Sequence, residues 1–230
     1  MFYDRRSEAI LFATPRVDHR SNRMPKLKPE TQAARRENIL DAAQQCFARA
    51  GFHRTTIEDI CRQAAISPGA LYVYFDSKEA LIEGLCQRDK DQFIEKIARL
   101  EKADDFLAAL KAIGEEYFVD DPPARRLVAL EMAIEATRNP RIAVIYHSMD
   151  RFVRDSFATL FQRLKDQGRI APALPIETLT GIFIVLGDGI WFRRSVIPDF
   201  DARDVLPTAT ALIGAMLNHV MNHAPREVCP

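Results

Sequence analysis

Apolar residues recur three and four positions apart along most of this chain, the spacing of one face of an α-helix. Between Thr31 and Ala50 the stripe is Ile39, Leu40, Ala43, Cys46, Phe47 and Ala50. Gly51 with Phe52 behind it reads as a helix stop of the Schellman type. Thr56 then caps a short helix in a capping box with Asp59, and its face is Ile57, Ile60, Cys61 and Ala64. Ala65-Ile66 interrupts. Ser67 and Pro68, a cap followed by a proline at the first helical position, open a second short helix, PGALYVYF, with room for barely two turns. Asp76 stops that helix. Ser77 caps a long one through Leu81, Ile82, Leu85, Phe93, Ile94, Ile97 and Leu100, with a charged middle from Gln87 to Gln92 that marks a connector between two parts.

The remainder continues in the same period. Asp104-Asp105 caps a segment with Phe106, Leu107, Leu110, Ile113 and Tyr117. Asp121-Pro122 starts another, and Asn139-Pro140 a longer one that keeps its stripe to Gly168. Residues 176–192 are apolar nearly all round, which predicts burial on most sides, whereas 204–222 carry a single seam from Val205 to Val220. Strand-like alternation with hairpin turns is absent from the sequence. The expected fold is all-α with about nine helices: a three-helix unit over 29–76 and a larger helical domain over 77–224. Residues 1–28 lack periodicity and read as a disordered or extended basic arm, either an arm that contacts phosphate or the product of a start annotated upstream of Met24.

Composition adds little to this, and charge distribution adds more. Lys+Arg and Asp+Glu are both 32, so bulk electrostatics do not argue for a nucleic-acid partner. Locally, Arg5, Arg6, Arg16, Arg20, Arg23, Lys26, Lys28, Arg35 and Arg36 are opposed before residue 37 only by Asp4, Glu8, Asp18 and Glu30. The basic character therefore sits beside the short-helix unit. Cysteines at 46, 61, 86 and 229 have no metal-type spacing, and Cys46 and Cys61 read as reduced, buried thiols. No apolar run is long enough to span a bilayer and no signal peptide is evident, so a cytoplasmic protein is expected.

Two short helices joined by a tight turn are the organisation of a helix-turn-helix, whose second helix lies in the DNA major groove. The stretch resembles the DNA-binding domain of TetR-family transcriptional regulators. The resemblance is carried by Gly51-Phe52, Thr55-Thr56, Asp59-Ile60, Ala64, Ile66-Ser67, Gly69, Leu71-Tyr72, Tyr74-Phe75 and Ser77-Lys78-Glu79. It implies DNA contacts from Thr56, Ser67, Pro68, Gly69, Ala70, Tyr72, Val73, Tyr74 and Lys78, with Lys78 on a phosphate and Leu71 and Phe75 turned into the core. The short second helix lacks Arg, Lys, Asn and Gln, so much of its specificity is expected from apolar contacts and DNA shape. One departure is Ala65, where the family usually has glycine. A left-handed residue there would cost alanine on the order of 1 kcal/mol, so a slightly different turn is expected.

The C-terminal part more loosely resembles the effector domain of the branch containing choline-responsive betaine-pathway repressors, through EMAIEATRNPRI (131–142), Gly168-Arg169-Ile170 and Leu186-Gly187-Asp188-Gly189-Ile190. This implies architecture and pocket position rather than a choline ligand. Glu131, Glu135, His147, Asp188 and Trp191 are the candidates for an effector pocket. Asp188 interrupts an apolar run, so a buried carboxylate with a partner is expected, with Arg193 within the chain favoured over Arg151 across a dimer or an effector. The family's last two helices form a four-helix dimer interface, which here would use Ile182, Leu186, Leu206, Leu212, Ile213, Met216 and Leu217. The implied partners are a near-palindromic duplex operator, a small-molecule effector and a second copy of the chain. No enzyme motif of the H-E-x-x-H, G-x-S-x-G or P-loop kind is present, and no cofactor or metal is expected. The leading reading is an effector-released regulator, most often a repressor. The alternative is a dimeric small-molecule binder whose helix-turn-helix is vestigial.

Overall fold

The computed structural model describes residues 29–218. The basic arm, Val220 and Cys229 lie outside them. Among the described residues there are nine helices and no strands: α1 (Pro29–Arg54), α2 (Ile57–Ala64), α3 (Pro68–Tyr72), α4 (Lys78–Lys102), α5 (Phe106–Phe118), α6 (Pro123–Glu135), α7 (Pro140–Asp166), α8 (Ile176–Val196) and α9 (Ala202–Leu217).

Local chemistry accounts for most boundaries. Thr56 Oγ1 accepts from the Asp59 N–H while the Asp59 carboxylate accepts from the Thr56 N–H, the reciprocal capping box. Ser67, Ser77, Asp105 and Asn139 cap α3, α4, α5 and α7 through their side-chain oxygens. The end of α1 is different. Gly51 adopts φ 77°, ψ 169°, a region essentially confined to glycine, and breaks the helix before a last turn from Phe52 to Arg54. This is not the left-handed Schellman stop expected. The buried Thr55 hydroxyl then donates to the carbonyl of Gly51 at 2.8 Å. Between α2 and α3, Ala65 takes φ 55°, ψ 44°. The turn thus keeps the left-handed geometry, and alanine bears its cost; the expected departure does not occur.

The head, α1 to α3 with the first turns of α4, is built on Ile39, Leu40, Phe47, Ile60, Leu71 and Leu81, all essentially inaccessible. Ile82, Leu85 and Cys86 belong to the same core, so it extends about three turns beyond residue 76. Val128 of α6 and Ile142 of α7 complete it. The body has a second core around Phe106, Leu160, Phe161, Leu164, Leu179 and Leu217. There Phe183 packs against Phe157 and Phe161 at centroid distances of 4.5 and 5.3 Å. Arg169 donates to the carbonyls of Glu101 and Ala103 and closes the C-terminal end of α4, where a cation meets the negative end of the helix.

Two expectations about the last helices change. α8 is not buried all round: Ile182, Val185, Phe192 and Val196 are exposed along one side, Val185 to 71%. In α9 the apolar seam divides. Leu206 and Leu217 are buried in their own protomer, Ile213 and Met216 pack partly against its core, and Leu212 is 52% exposed. α9 stops at Leu217, short of 222, because Asn218 turns left-handed (φ 43°) and its amide donates to the Ala171 carbonyl at 3.0 Å.

Ala65→Gly removes a steric clash between Cβ and backbone while leaving the exposed turn otherwise unchanged. It should stabilise the protein by about 1 kcal/mol, a rise in Tm of roughly 2–4 °C for a chain this size. Thermal unfolding of the two proteins side by side checks this, and an equal or lower Tm for the variant would contradict it.

Candidate functional site

The surface of the helix-turn-helix is small and apolar. α3 is a single turn on which Leu71 is buried and its neighbours point outward: Tyr72 is 54% exposed and Val73 77%. Pro68 and Gly69 are also exposed, and Ala70 is half-exposed. Holding a valine and a tyrosine ring in water costs free energy, and these are the exposed large apolar side chains of the head. Tyr74, expected beside them, is instead half-buried and packs against the head core. A β-carbon at Gly69 would meet nothing within 4 Å, so the protomer itself does not require glycine there. The caps Thr56 and Ser67 are already engaged with the N–H groups of Asp59 and Ala70 at 3.1 and 3.3 Å.

Lys78, expected on a phosphate, is held here against the end of α1. Its ammonium donates to the carbonyls of Phe52 at 2.7 Å, Thr55 at 3.1 Å and His53 at 3.5 Å, and lies 4.5 Å from the centroid of the Phe52 ring. All three N–H donors of a lysine are thereby directed at the open end of α1. It caps the last turn of α1, whose carbonyls have no N–H further along the helix to accept from.

The five candidate pocket residues do not converge. Glu131 accepts from the backbone N–H of Phe52 at 3.0 Å, and buried Glu135 pairs with His53 Nε2 at 2.7 Å. Both are committed to the head rather than to a chamber in the body. His147 is exposed on α7, its ring edge-on to Tyr146 at 5.9 Å. Trp191 is half-buried on α8. Asp188 is accessible rather than buried, and among the described residues it forms no ion pair; Arg193 lies instead over the Phe200 ring at 5.3 Å. The protein walls around Asp188 nonetheless push its carboxyl up, with Asp150 adding to the effect and Arg154 opposing it.

A polar cluster not anticipated from the sequence stands where α4, α5 and α6 meet. Arg125 bonds Asp89 and Asp121, each at 3.1 Å. Burial pushes both carboxyls up while Arg125 pulls them back. Lys96 sits 5.7 Å from the Tyr117 ring centroid, its ammonium lowered by burial and then by Arg125. Tyr117 is 38% accessible, yet burial drives its hydroxyl up to about 12. Tyr146 is raised by burial and then by Asp188, whose charge Tyr117 also feels. These residues are spread over α4 to α8 and the turn after α5, so no spacing in the sequence could reveal the cluster.

A three-helix head presenting a one-turn helix outward, carried on a larger helical body, defines a helix-turn-helix DNA-binding protein. Residues 39–85 match the sequence model of "Bacterial regulatory proteins, tetR family", and residues 107–218 that of "BetI-type transcriptional repressor, C-terminal". The chain belongs to the TetR family of transcriptional regulators. It is similar to the HTH-type transcriptional regulator UidR of Escherichia coli K12, with 28% identity over 204 residues covering 84% of this chain and 98% of that protein. Among solved structures, Salmonella enterica GusR superposes with a TM-score of 0.71 at 25% identity, covering 84% of this chain and 98% of its own. The SmeT–triclosan complex shares the fold, with a TM-score of 0.69 at 21% identity, covering 86% of this chain and 98% of its own.

The geometry separates folding from recognition. Lys78→Ala leaves the end of α1 without its cap and should destabilise the protein by ~1–3 kcal/mol. Tyr72→Ala and Val73→Ala, both on the open face, should stay within about 0.5 kcal/mol of wild type. Urea unfolding of the three variants tests the assignment, which fails if Lys78→Ala is as stable as the other two.

Proposed function

We propose that this regulator binds duplex operator DNA as a homodimer, as a repressor, and releases it when a small molecule enters the body. The observation that carries the DNA half of this reading is the outward pair Tyr72 and Val73 on a helix whose inner side is locked by Leu71. Val73 and Ala70 suit thymine methyls, and the Tyr72 hydroxyl suits a phosphate or base edge. Thr56, Ser67, Pro68 and Gly69 border the same face, and Gly69 lets a DNA strand come close. Tyr74 supports the face from behind, and Lys78 sets the angle at which the head is held.

The dimer reading rests on the outer side of α8. Ile182, Val185, Phe192 and Val196 stand three, seven and four residues apart, the pattern of a helix seam, with Leu212 of α9 also exposed. A β-carbon at Gly189 would meet nothing in its own protomer, although glycine inside a helix costs about 1 kcal/mol relative to alanine. A second copy packed at close range would account for it. Leu186, Ile213 and Met216 would lie at the inner edge of that seam, while Leu206 and Leu217 would act from the protomer core. For the effector, we favour the region where Tyr117 of α5 and Tyr146 of α7 feel the charge of Asp188 on α8. That SmeT was solved with triclosan bound supports a small-molecule site in this fold. Among the described residues no helix is long and apolar enough to cross a membrane, which accords with a regulator that meets DNA in the cytoplasm.

A gel shift on DNA flanking the protein's own gene tests the central point. Specific retardation whose affinity falls steeply with salt is expected, as counterion release requires. No retardation at low salt would leave a small-molecule binder with an idle helix-turn-helix. Val185→Glu and Leu212→Glu should give folded monomers that lose operator binding, because one head cannot span half-sites a helical turn apart, ~34 Å. Leu217→Glu should unfold the protein instead. Sedimentation and circular dichroism distinguish these results, and a folded, dimeric Val185→Glu would remove the interface from α8.

A further inference from the structure

The peptide on either side of Phe52 is gripped by side chains from two other parts of the molecule. The Phe52 N–H donates to Glu131 Oε1 of α6 at 3.0 Å. The Phe52 carbonyl accepts from the ammonium of Lys78, the first residue of α4, at 2.7 Å. That ammonium also donates to the carbonyl of Thr55 at 3.1 Å, and the next residue is the cap of α2. One turn along α6, Glu135 meets His53 Nε2 at 2.7 Å. Gly51 opens the space for this grip, since a β-carbon there would stand 2.7 Å from Glu131 Oε1.

We propose that Glu131 and Lys78, acting through the backbone of Phe52, are positioning residues that transmit the state of the body to the helix-turn-helix. The inference rests on the effector-responsive reading above and adds the residues that carry the signal. α6 is suited to this place because it serves both sides. Its first turn holds Arg125 in the polar cluster beside Tyr117, and its second half holds the end of α1. Charge-assisted hydrogen bonds are short and directional, and they weaken steeply once bent. A shift of α6 must therefore either drag the segment from Phe52 to Thr55 with it or break the bond. A cavity of about 10 Å³, room for about one water molecule, lies among Phe47, Phe52, Val128, Met132 and the two glutamates. The polar links add a directional register to the apolar contact between head and body.

The test is hydrogen–deuterium exchange on the full chain, with and without saturating duplex from the region flanking its own gene. DNA bound at the head should slow amide exchange in residues 123–135 and 176–196 of the wild type. Glu131→Ala should abolish that slowing at saturating DNA. Glu131→Gln, which keeps an acceptor oxygen opposite the Phe52 N–H, should restore it. A purely structural role for Glu131 would not divide the two variants in this way. Lys78→Met keeps an aliphatic stem beside the Phe52 ring without a donor, and should lose the slowing as Glu131→Ala does; it decides the matter if the Glu131 variants fail to fold. Binding by the wild type without any slowing in the body, or equal slowing in wild type and Glu131→Ala, overturns the joint and leaves the DNA-binding reading standing. Absence of binding by the wild type defeats that reading itself, and the joint falls with it.

Discussion

At Gly51 the backbone leaves α1 through a region that only glycine enters readily, and a carboxylate of α6 occupies the space a side chain would have filled. The rest of the architecture depends on that meeting. Without the break, Phe52 would continue along α1 instead of turning into the core, and the Thr55 hydroxyl would not reach back nine residues to the Cys46 carbonyl. Without α6, the head core would lack the Val128 side chain that helps to close it. The head has too few residues to bury enough apolar surface with ease on its own, and it meets that shortage by sharing a core with the body.

That sharing gives α4 a second meaning. Its first turns lie in the head core and its last turn in the body core, so it is one rigid rod embedded at both ends. Between them, Arg88 reaches Asp41 and Gln44 of α1, and the Asp89–Arg125 pair ties it to α6. Head and body are thus joined through a rod and a clamp, and both meet α6.

Features set by neighbours in the chain were legible in the sequence. The caps Thr56, Ser67, Ser77, Asp105 and Asn139 could be named in advance because a cap needs only its own oxygen and an N–H two or three residues on. The all-helical class and the nine segments followed from periodicity. Of the candidate interface, Tyr72 and Val73 stand outward as expected. What stayed hidden was set by partners far along the chain. Glu131 and Glu135 look like any polar pair on a helix until the broken end of α1 lies against them. Lys78 looks like a surface cation until the carbonyls of residues 52 to 55 converge on it. In α9, Leu206, Leu212 and Leu217 belong to one apolar stripe, and only the placement of α5 and α8 decides which of them face inward. At Ala65 the expectation weighed local strain against geometry, and the turn needed to bring α3 under the core outweighed a penalty of about 1 kcal/mol.

The shared core also bears on how such proteins can be recombined. A head excised after residue 76 would leave behind Leu81, Ile82, Leu85 and Val128, and would carry a helix end shaped to receive a glutamate that no longer follows. A chimera that joins this head to an unrelated body therefore has to bring the inner face of α6 along, or provide a carboxylate at the position of Glu131 and an apolar side chain at that of Val128. Modularity in this molecule is defined by side chains that meet across the seam, and the boundary along the chain is a poor guide to where it can be cut.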